Sequence, residues 1–380
     1  MASPNGMAAS VIVFSHLRWN FVTQRPQHLI TRLAETRKIL FVEEPVPFAA
    51  GEHGTANILQ VHQNIVILQP KIDPSRLIDE LEPLLNKYTQ YLYPQPPILW
   101  FYSAAFHEMS DRLNHALLVY DCMDELSAFK GAPQSLVDQE RALLKKADLV
   151  FTGGKSLFEA KRLLSDEVYC YPSSVDSAHF EKALLEETPV PADIEDIPHP
   201  IVGYYGVIDE RIDYDLLAEV ARMNPDLSFV MIGPVVKVDE SSLPQAENMY
   251  YLGAKAYDEL PGYLKAFDIA MMPFALNEST KFISPTKTLE YLAAERPVIS
   301  TPIYDVVRDY SHVLPIAENA REFTDALQSF LEERPEKKDL RNRKYRDILQ
   351  AVSWDKTVAA MQKNIQELLA AGARRRQPAS

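Results

Sequence analysis

Three residues at helical spacing, Thr286, Lys287 and Glu290, are the best placed in this sequence to do chemistry. Ser284 and Pro285 precede them and are typical of a helix start, with Ser as the N-cap and Pro at the first helical position. The helix dipole disfavours a lysine in the first turn unless an anion binds there. A carboxylate one turn deeper would suit the ribose hydroxyls of a nucleotide. The alternative is a solvated Lys–Glu pair on an ordinary helix.

The flanking segments place this helix in a parallel sheet. Residues 268–274 and 297–301 are apolar runs that predict two buried strands. The helix of such a βαβ unit begins at the carboxyl edge of the sheet, where open α/β sheets bind ligands. This context favours a nucleotide site over a surface pair. Arg211, near the predicted start of an earlier helix at 213–223, is a second cation in an anion-binding position.

Composition limits the class of protein. The chain has 380 residues, 47% of them hydrophobic, and a net charge of −14. This length suits two domains, and the acidic balance argues against nucleic acid as a main partner. No apolar run reaches the roughly 20 residues that cross a bilayer, and the first ten residues do not resemble a secretory signal. We expect a cytoplasmic protein and leave open peripheral contact with the cytoplasmic membrane face.

The two cysteines, Cys122 and Cys170, lie in or beside apolar runs. They predict buried thiols in a reducing compartment rather than a disulfide, and no cluster of metal-ligating residues surrounds them. The sequence therefore predicts no metal site.

Predicted strands and helices alternate in two successive series, which predicts two doubly wound α/β domains. Residues 186–200 between the series are acidic and proline-rich, as linkers are. We predict domains at 1–190 and 200–352, a last helix at 353–370, and a disordered tail at 371–380.

The loop after the first strand carries His16, Arg18 and Trp19. It lacks the G-x-G-x-x-G pattern of a dinucleotide site. An aromatic face beside hydrogen-bond donors suits a polar, ring-shaped ligand. Equally, Trp19 and Phe21 could close the edge of the hydrophobic core, and the sequence leaves both interpretations open.

A group of acidic residues follows a later strand of the first domain. Asp121, Asp124 and Glu125 come at its carboxyl end, where groups are placed for binding or chemistry. Any of them could act as a general base toward a hydroxyl. The alternative is that one caps the next turn while the others are solvated.

Three stretches of the second domain fit a family pattern: Asn277-Glu-Ser-Thr280, Ser284-Pro-Thr-Lys-Thr-Leu-Glu-Tyr-Leu-Ala-Ala294 and Arg296-Pro-Val-Ile-Ser-Thr301. With the strand ends Gly203-Tyr-Tyr-Gly206 and Met231-Ile-Gly-Pro234, the chain resembles GT-B glycosyltransferases of group 1 (family 4), nucleotide-sugar transferases of bacterial polysaccharide and cell-envelope synthesis. The resemblance covers most of the chain. It implies an α/β GT-B fold with two Rossmann-like domains facing a cleft, the first for the acceptor and the second for the donor. The C-terminal helix would cross back to the first domain.

The resemblance also implies an activity. Such an enzyme moves a sugar from a nucleotide diphosphate sugar, here a UDP-sugar, to a hydroxyl of a carbohydrate or lipid-linked acceptor. His16, Arg18 and Trp19 would face the acceptor. No metal or other cofactor is expected, since the donor-site groups would neutralise the leaving diphosphate. The residues expected to hold the nucleotide are Arg211, Ser284, Thr286, Lys287 and Glu290.

One position departs from the family pattern. Many members have a second glutamate, and its position here is Phe282. Since that glutamate is usually linked to the donor sugar, Asn277 or Glu278 would have to replace it. Its loss also weakens any inference that the anomeric configuration is retained. An inverting reaction would use an acidic base of the first domain, for which Asp124 and then Asp121 are the candidates.

Two other functions fit the same residues. One is a nucleotide-sugar epimerase or phosphorylase on the same fold. The other is a catalytically silent partner subunit that only binds a nucleotide sugar. Fold alone does not decide between them.

Overall fold

A computed structural model describes residues 9–125, 128 and 133–375, with side chains described as far as residue 371. The chain divides into two compact units. The first unit contains the residues up to Pro172 and those from Asp355 onward, and the second unit is Ser173–Trp354. Among the described residues, no helix combines the length and the apolarity needed to span a bilayer.

The first unit contains an eight-stranded sheet whose strand order is β3-β4-β2-β1-β5-β6-β7-β8. All neighbouring pairs are parallel except β3 with β4. The central strands are buried along their whole length, as apolar parallel strands with both faces covered should be. The strands are β1 (Val11–Ser15), β2 (Ile39–Glu43), β3 (Thr55–His62), β4 (Ile65–Lys71), β5 (Ile98–Phe101), β6 (Leu117–Cys122), β7 (Leu149–Thr152) and β8 (Val168–Cys170).

Helices connect these strands. They are α1 (Arg25–Leu33), α2 (Leu77–Tyr88), α3 (Met109–Arg112), α4 (Gln134–Lys146) and α5 (Lys155–Lys161). Most strands and helices of this unit lie close to the residues that the sequence predicts. The strand that the sequence missed is β3, an antiparallel edge strand with a mostly exposed and mixed composition. It lacks the apolar run by which buried strands are recognised.

The second unit contains a five-stranded, entirely parallel sheet whose strand order is β11-β10-β9-β12-β13. Its strands are β9 (Ile201–Tyr205), β10 (Ser228–Ile232), β11 (Met249–Tyr251), β12 (Ile269–Met272) and β13 (Val298–Ser300). Its helices are α6 (Ser177–Phe180), α7 (Ala192–Glu195), α8 (Tyr214–Met223), α9 (Leu260–Ala266), α10 (Thr286–Ala293), α11 (Tyr304–Tyr310), α12 (Ala320–Leu331) and α13 (Pro335–Ala351). Beside β13, Ser300 and Ile316 form an isolated parallel bridge.

The last helix, α14 (Trp354–Arg375), belongs to the first unit from Asp355 onward. Arg32 of α1 forms an ion pair with Asp355. The Tyr171 hydroxyl donates a hydrogen bond to Asn364, 3.3 Å away. These contacts fix the end of the chain beside the first sheet.

The proline-rich segment predicted as a linker lies inside the second unit, because the chain changes unit earlier, at Pro172 and Ser173. Lys265 of α9 donates hydrogen bonds to the carbonyl oxygens of residues 185, 186 and 188 at 2.7 to 2.8 Å. The Asp193 carboxylate accepts a hydrogen bond from Tyr263 at 2.7 Å. The segment is therefore packed against the second unit, although its composition is that of a free linker.

Candidate functional site

Helix α10 begins at Thr286, at the carboxyl edge of the second sheet. The helix begins one residue later than predicted. Pro285, with ψ of 122°, is the residue that precedes the helix and not its first residue, and Ser284 does not cap the helix. The carbonyl oxygen of Ser284 instead accepts a hydrogen bond from Ser173 at 2.5 Å. Lys287 consequently lies in the first turn, as expected, where the backbone N–H groups have no partner within the helix.

Lys287 packs against the end of β9. Its ammonium lies 5.7 Å from the centre of the Tyr204 ring. Gly206 follows this strand with φ of +144°, a conformation that side chains rarely adopt. A Cβ on Gly206 would overlap Cε of Lys287 and lie 2.7 Å from its Nζ. The backbone at this position therefore favours glycine, and any side chain here would have to displace the end of the Lys287 side chain.

A second glycine shapes the same sheet edge. Gly233 follows the neighbouring strand β10 with φ of +145°, and a Cβ there would overlap the carbonyl oxygen of Gly206. Two glycines at adjacent strand ends keep side chains away from the backbone beside Lys287. Such an edge lets a ligand approach the backbone closely.

Glu290 is buried one turn further along α10, with 7% of its surface exposed. The Tyr205 hydroxyl donates a hydrogen bond to its Oε2 at 2.5 Å. Burial raises the pKa of Glu290 above its ordinary value, and this shift is opposed by the charge of Lys287 and by hydrogen bonds from Tyr205 and Thr286. The structure thus brings together Thr286, Lys287 and Glu290, as the sequence predicts.

Arg211 lies in the loop between β9 and α8. Its guanidinium forms a bidentate pair with the buried Asp209, with Nε 3.0 Å from Oδ1 and Nη2 2.8 Å from Oδ2. The backbone N–H of Ala275 donates a hydrogen bond to the Arg211 carbonyl at 2.8 Å. This joins the Arg211 loop to the loop that precedes α10. Asp209, which orients the arginine, was not identified in the sequence.

The two residues expected at the donor sugar differ in their environment. The side-chain oxygen of Asn277 accepts hydrogen bonds from the backbone N–H groups of Ser279 and Thr280 at 3.0 and 3.2 Å. Asn277 therefore shapes its own loop, as short polar side chains in turns do. Glu278 is exposed. Phe282 is half-buried, and the Lys281 ammonium lies 5.4 Å from its ring centre.

The loop after β1 is held against the end of β2. Arg18 bonds to the Glu43 carboxylate at 3.2 Å and to the backbone oxygen of Pro45 at 3.0 Å. The backbone N–H of Trp19 donates to the Glu43 carboxylate at 2.8 Å, and the Trp19 ring packs edge-on against Phe41. Of the two open interpretations, Trp19 fits the closing of the core, although as a half-buried residue it keeps exposed surface for a ligand. Phe21 does not, because 48% of its surface is exposed.

His16 belongs to the same loop. It follows the last residue of β1 directly and is half-buried. The structure therefore places His16, Arg18 and Trp19 together at the carboxyl edge of the first sheet.

Asp121 is fully buried near the end of β6 and paired with Arg25. The Nε of Arg25 lies 3.0 and 3.2 Å from the two carboxylate oxygens, and its Nη1 donates to the backbone of Tyr171 at 2.7 Å. Burial raises the pKa of Asp121, and Arg25 opposes that shift. This corrects the expectation for Asp121: its carboxylate anchors the start of α1 and is not accessible to an acceptor.

The other acidic residues after β6 are half-buried. Glu125 forms an ion pair at 2.7 Å with Lys161, which is itself buried and also contacts Glu140 at 2.8 Å. The Cys122 thiol lies 3.5 Å from the backbone oxygen of Asp124. The Asp124 backbone is thus in contact with Cys122, and the following residue, Glu125, is held by Lys161.

Across the parts of the chain that the structure describes, no three His, Cys, Asp or Glu side chains are grouped so that they could hold a metal ion. Cys122 is buried and burial raises its thiol pKa, while Cys170 is half-buried, and neither forms a disulfide.

Comparison with known proteins identifies the class. Residues 199–333 match the family described as "Glycosyl transferases group 1". Similar solved structures include a sucrose-phosphate synthase from Thermosynechococcus elongatus, with a TM-score of 0.73 and 14% identity over 96% of this chain and 100% of that one. The resemblance seen in the sequence is confirmed: the fold is that of GT-B glycosyltransferases, and residues 199–333 match the group 1 glycosyltransferase family.

Particular relatives share this class. Anabaena HepE, solved in complex with UDP-glucose, superposes with a TM-score of 0.71 at 10% identity over 95% of this chain and all of HepE. The Bacillus subtilis (strain 168) protein named "Putative teichuronic acid biosynthesis glycosyltransferase TuaH" is 24% identical over 296 residues, which are 70% of this chain and 73% of TuaH.

Proposed function

We propose that this protein transfers a sugar from a UDP-sugar to an acceptor hydroxyl in the synthesis of a polysaccharide or glycolipid. The observation that carries this proposal is the placement of Lys287 and Glu290. A cation lies in the first turn of α10, against the glycine that ends β9, and a buried carboxylate lies one turn deeper. This order suits a nucleoside diphosphate, with the phosphates at the helix start and the ribose beside the carboxylate.

In this proposal the diphosphate binds the backbone N–H groups at the start of α10 and the Lys287 ammonium. Ser284 and Thr286 add hydroxyl donors, and Glu290 accepts hydrogen bonds from the ribose hydroxyls. Arg211, oriented by Asp209, approaches the phosphates from the neighbouring loop.

These groups act when the sugar leaves. Negative charge grows on the diphosphate as the glycosidic bond breaks, and fixed donors aimed at that charge stabilise the transition state. Lys287 and the N–H groups would supply this stabilisation, so we propose a reaction that needs no metal. At the donor sugar, the exposed Glu278 is a better candidate than Asn277, whose oxygen is engaged by its own loop.

The choice of a UDP-sugar draws support from HepE, which was solved with UDP-glucose, and the acceptor class draws support from the name of TuaH. We propose a cytoplasmic enzyme acting on a carbohydrate or lipid-linked acceptor at the membrane face. His16, Arg18 and Trp19 would contact this acceptor. Asp124, and not Asp121, is the proposed base if the reaction inverts configuration.

Calorimetric titration tests the donor site. The purified protein is titrated with UDP, GDP and ADP, with and without EDTA, and Lys287→Ala is compared with Lys337→Ala. Lys337 is an exposed lysine on α13, so its loss changes the net charge equally. We expect selective UDP binding that survives EDTA and is lost only in Lys287→Ala. Unchanged UDP affinity in Lys287→Ala would refute the assignment.

Turnover separates transfer from its alternatives. Release of UDP from a UDP-sugar that depends on an added acceptor supports a transferase. Conversion of the UDP-sugar without an acceptor would indicate an epimerase, and UDP binding without turnover over a broad acceptor panel would indicate a binding subunit.

A further inference from the structure

Tyr205, the last residue of β9, contacts helix α10 through both its side chain and its backbone. Its hydroxyl donates to Oε2 of Glu290, and its N–H donates to the Tyr291 hydroxyl at 3.2 Å. Its ring packs edge-on against the Tyr291 ring, with centres 5.1 Å apart. The Tyr205 side chain is therefore fixed from two directions against the turn of α10 that carries Glu290.

The hydrogen bond from Tyr205 matters because Glu290 is a buried carboxylate. An ionised carboxylate loses much of its hydration on burial and needs donors in exchange. A hydroxyl donated to Oε2 favours the ionised form and also restricts rotation of the carboxylate about its terminal bond. A carboxylate fixed in this way can accept hydrogen bonds from a pair of adjacent hydroxyls without reorganising.

We propose that Tyr205 is a positioning residue that orients Glu290 toward the ribose, and thereby makes nucleotide binding selective for a sugar with free 2′- and 3′-hydroxyls. The proposal rests on the proposed function, because it requires Glu290 to contact the ribose. It goes further by assigning the selectivity to a tyrosine that does not itself touch the nucleotide.

The competing explanation is that Tyr205 only satisfies a buried carboxylate. Removal of its hydroxyl would then change stability and would weaken every nucleotide equally. A positioning role predicts a different pattern, since only ligands with ribose hydroxyls lose affinity. The ratio of affinities for two nucleotides that differ in those hydroxyls separates the two explanations.

The experiment titrates Tyr205→Phe and the unaltered protein with UDP and with 2′,3′-dideoxyuridine diphosphate. We expect UDP affinity to fall about tenfold in Tyr205→Phe, as is typical of a lost hydrogen bond to a charged group. Affinity for the dideoxy nucleotide should stay within a factor of two. An equal loss for both nucleotides, or no change in their ratio, would overturn the proposal.

Tyr263→Phe is the matched control. Tyr263 is another buried tyrosine of the second unit that donates to a carboxylate, Asp193, at 2.7 Å, but it lies on α9. We expect this substitution to leave the ratio unchanged. A fall in the ratio comparable to that of Tyr205→Phe would show that the effect does not depend on Glu290.

Glu290→Gln separates a failure of the proposed ribose contact from a failure of the proposed role of Tyr205. The ribose contact of the proposed function fails if the unaltered protein binds UDP and the dideoxy nucleotide equally well. It also fails if Glu290→Gln prefers UDP as strongly as the unaltered protein does. If Glu290→Gln abolishes discrimination but Tyr205→Phe preserves it, only the role of Tyr205 fails.

The double variant Tyr205→Phe with Glu290→Gln completes the test and guards against misfolding. A neutral amide costs less to leave without a partner than a carboxylate does, so the double variant should fold even if Tyr205→Phe does not. If Tyr205 acts through Glu290, adding Tyr205→Phe to Glu290→Gln leaves the ratio unchanged. A further fall in the ratio would overturn the proposal.

Discussion

The side chain of Lys287 occupies the space that a Cβ on Gly206 would need. The lysine comes from helix α10 and the glycine follows strand β9, so the two meet at the carboxyl edge of the sheet although 81 positions separate their numbers. The position of the ammonium is therefore set partly by the absence of a side chain on the neighbouring strand.

Gly206→Ala should weaken UDP binding while the second unit stays folded. The new methyl group would displace Lys287 from the end of β9, and φ of +144° adds backbone strain. We expect a loss of about 1 to 3 kcal/mol in the free energy of unfolding and at least a tenfold loss in UDP affinity by calorimetry.

The control for this prediction is Gly253→Ala. Gly253 also has a positive φ, of +70°, but a Cβ there would meet nothing within 4 Å. It should show strain without a loss of UDP affinity. Equal UDP affinities in the two variants would contradict the link between Gly206 and Lys287.

Glu290→Gln should stabilise the unliganded protein while weakening UDP binding. Burial raises the pKa of Glu290, so the folded state holds this proton more strongly than the unfolded state does. The ionised side chain therefore costs stability, and the cost appears as pH rises above the unfolded pKa. We expect the amide to add about 1 kcal/mol to the free energy of unfolding at pH 7. Stability gained at the expense of binding is a common trade-off at functional sites.

Urea denaturation at pH 7 and pH 4 measures this effect. The gain from Glu290→Gln should be larger at pH 7, where an unperturbed carboxyl would be ionised. A destabilised Glu290→Gln at pH 7 would mean that the carboxylate contributes net stability through Lys287 and Tyr205.

Much of the proposed donor site could be predicted from the sequence because most of its residues lie within one helix. Thr286, Lys287 and Glu290 are related by helical spacing, and the flanking strands fix which edge of the sheet the helix start occupies. Tyr205 and Gly206 reach the same place through contacts between elements far apart in sequence. Asp209 pairs with Arg211 two residues away, but nothing in the local spacing singles it out. The Tyr-Tyr-Gly ending of a predicted strand indicates a special backbone there, but not its partner.

In the first unit, a long-range contact changes the role that the local sequence suggests for a residue. Asp121 has the residue type and the strand position of a base, yet Arg25 neutralises it from another element. Local spacing cannot reveal an ion pair between residues 96 positions apart. The linker at 186–200 was misjudged for a related reason, because its composition gives no sign of the carbonyl oxygens that Lys265 holds.

Asp121→Asn should lower stability more than it changes the donor site. It would leave the buried guanidinium of Arg25 without a charged partner, and breaking a buried ion pair in this way typically costs 3 to 5 kcal/mol. We expect a shifted urea midpoint and unchanged UDP affinity. Unchanged stability together with lost sugar transfer would instead support a catalytic role for Asp121.

Lys265→Met should detach the segment at 186–200 from the second unit. The lysine donates three hydrogen bonds to carbonyl oxygens, and methionine keeps most of its unbranched side chain while removing the side-chain donor. Limited proteolysis measures the opening of this segment, because cleavage follows the population of the open form. Loss of about 1.4 kcal/mol would raise cleavage tenfold. Lys337→Met, on the exposed start of α13, should leave the rate unchanged. If both variants are cleaved at the rate of the unaltered protein, the segment is held by its other contacts, such as Asp193 with Tyr263.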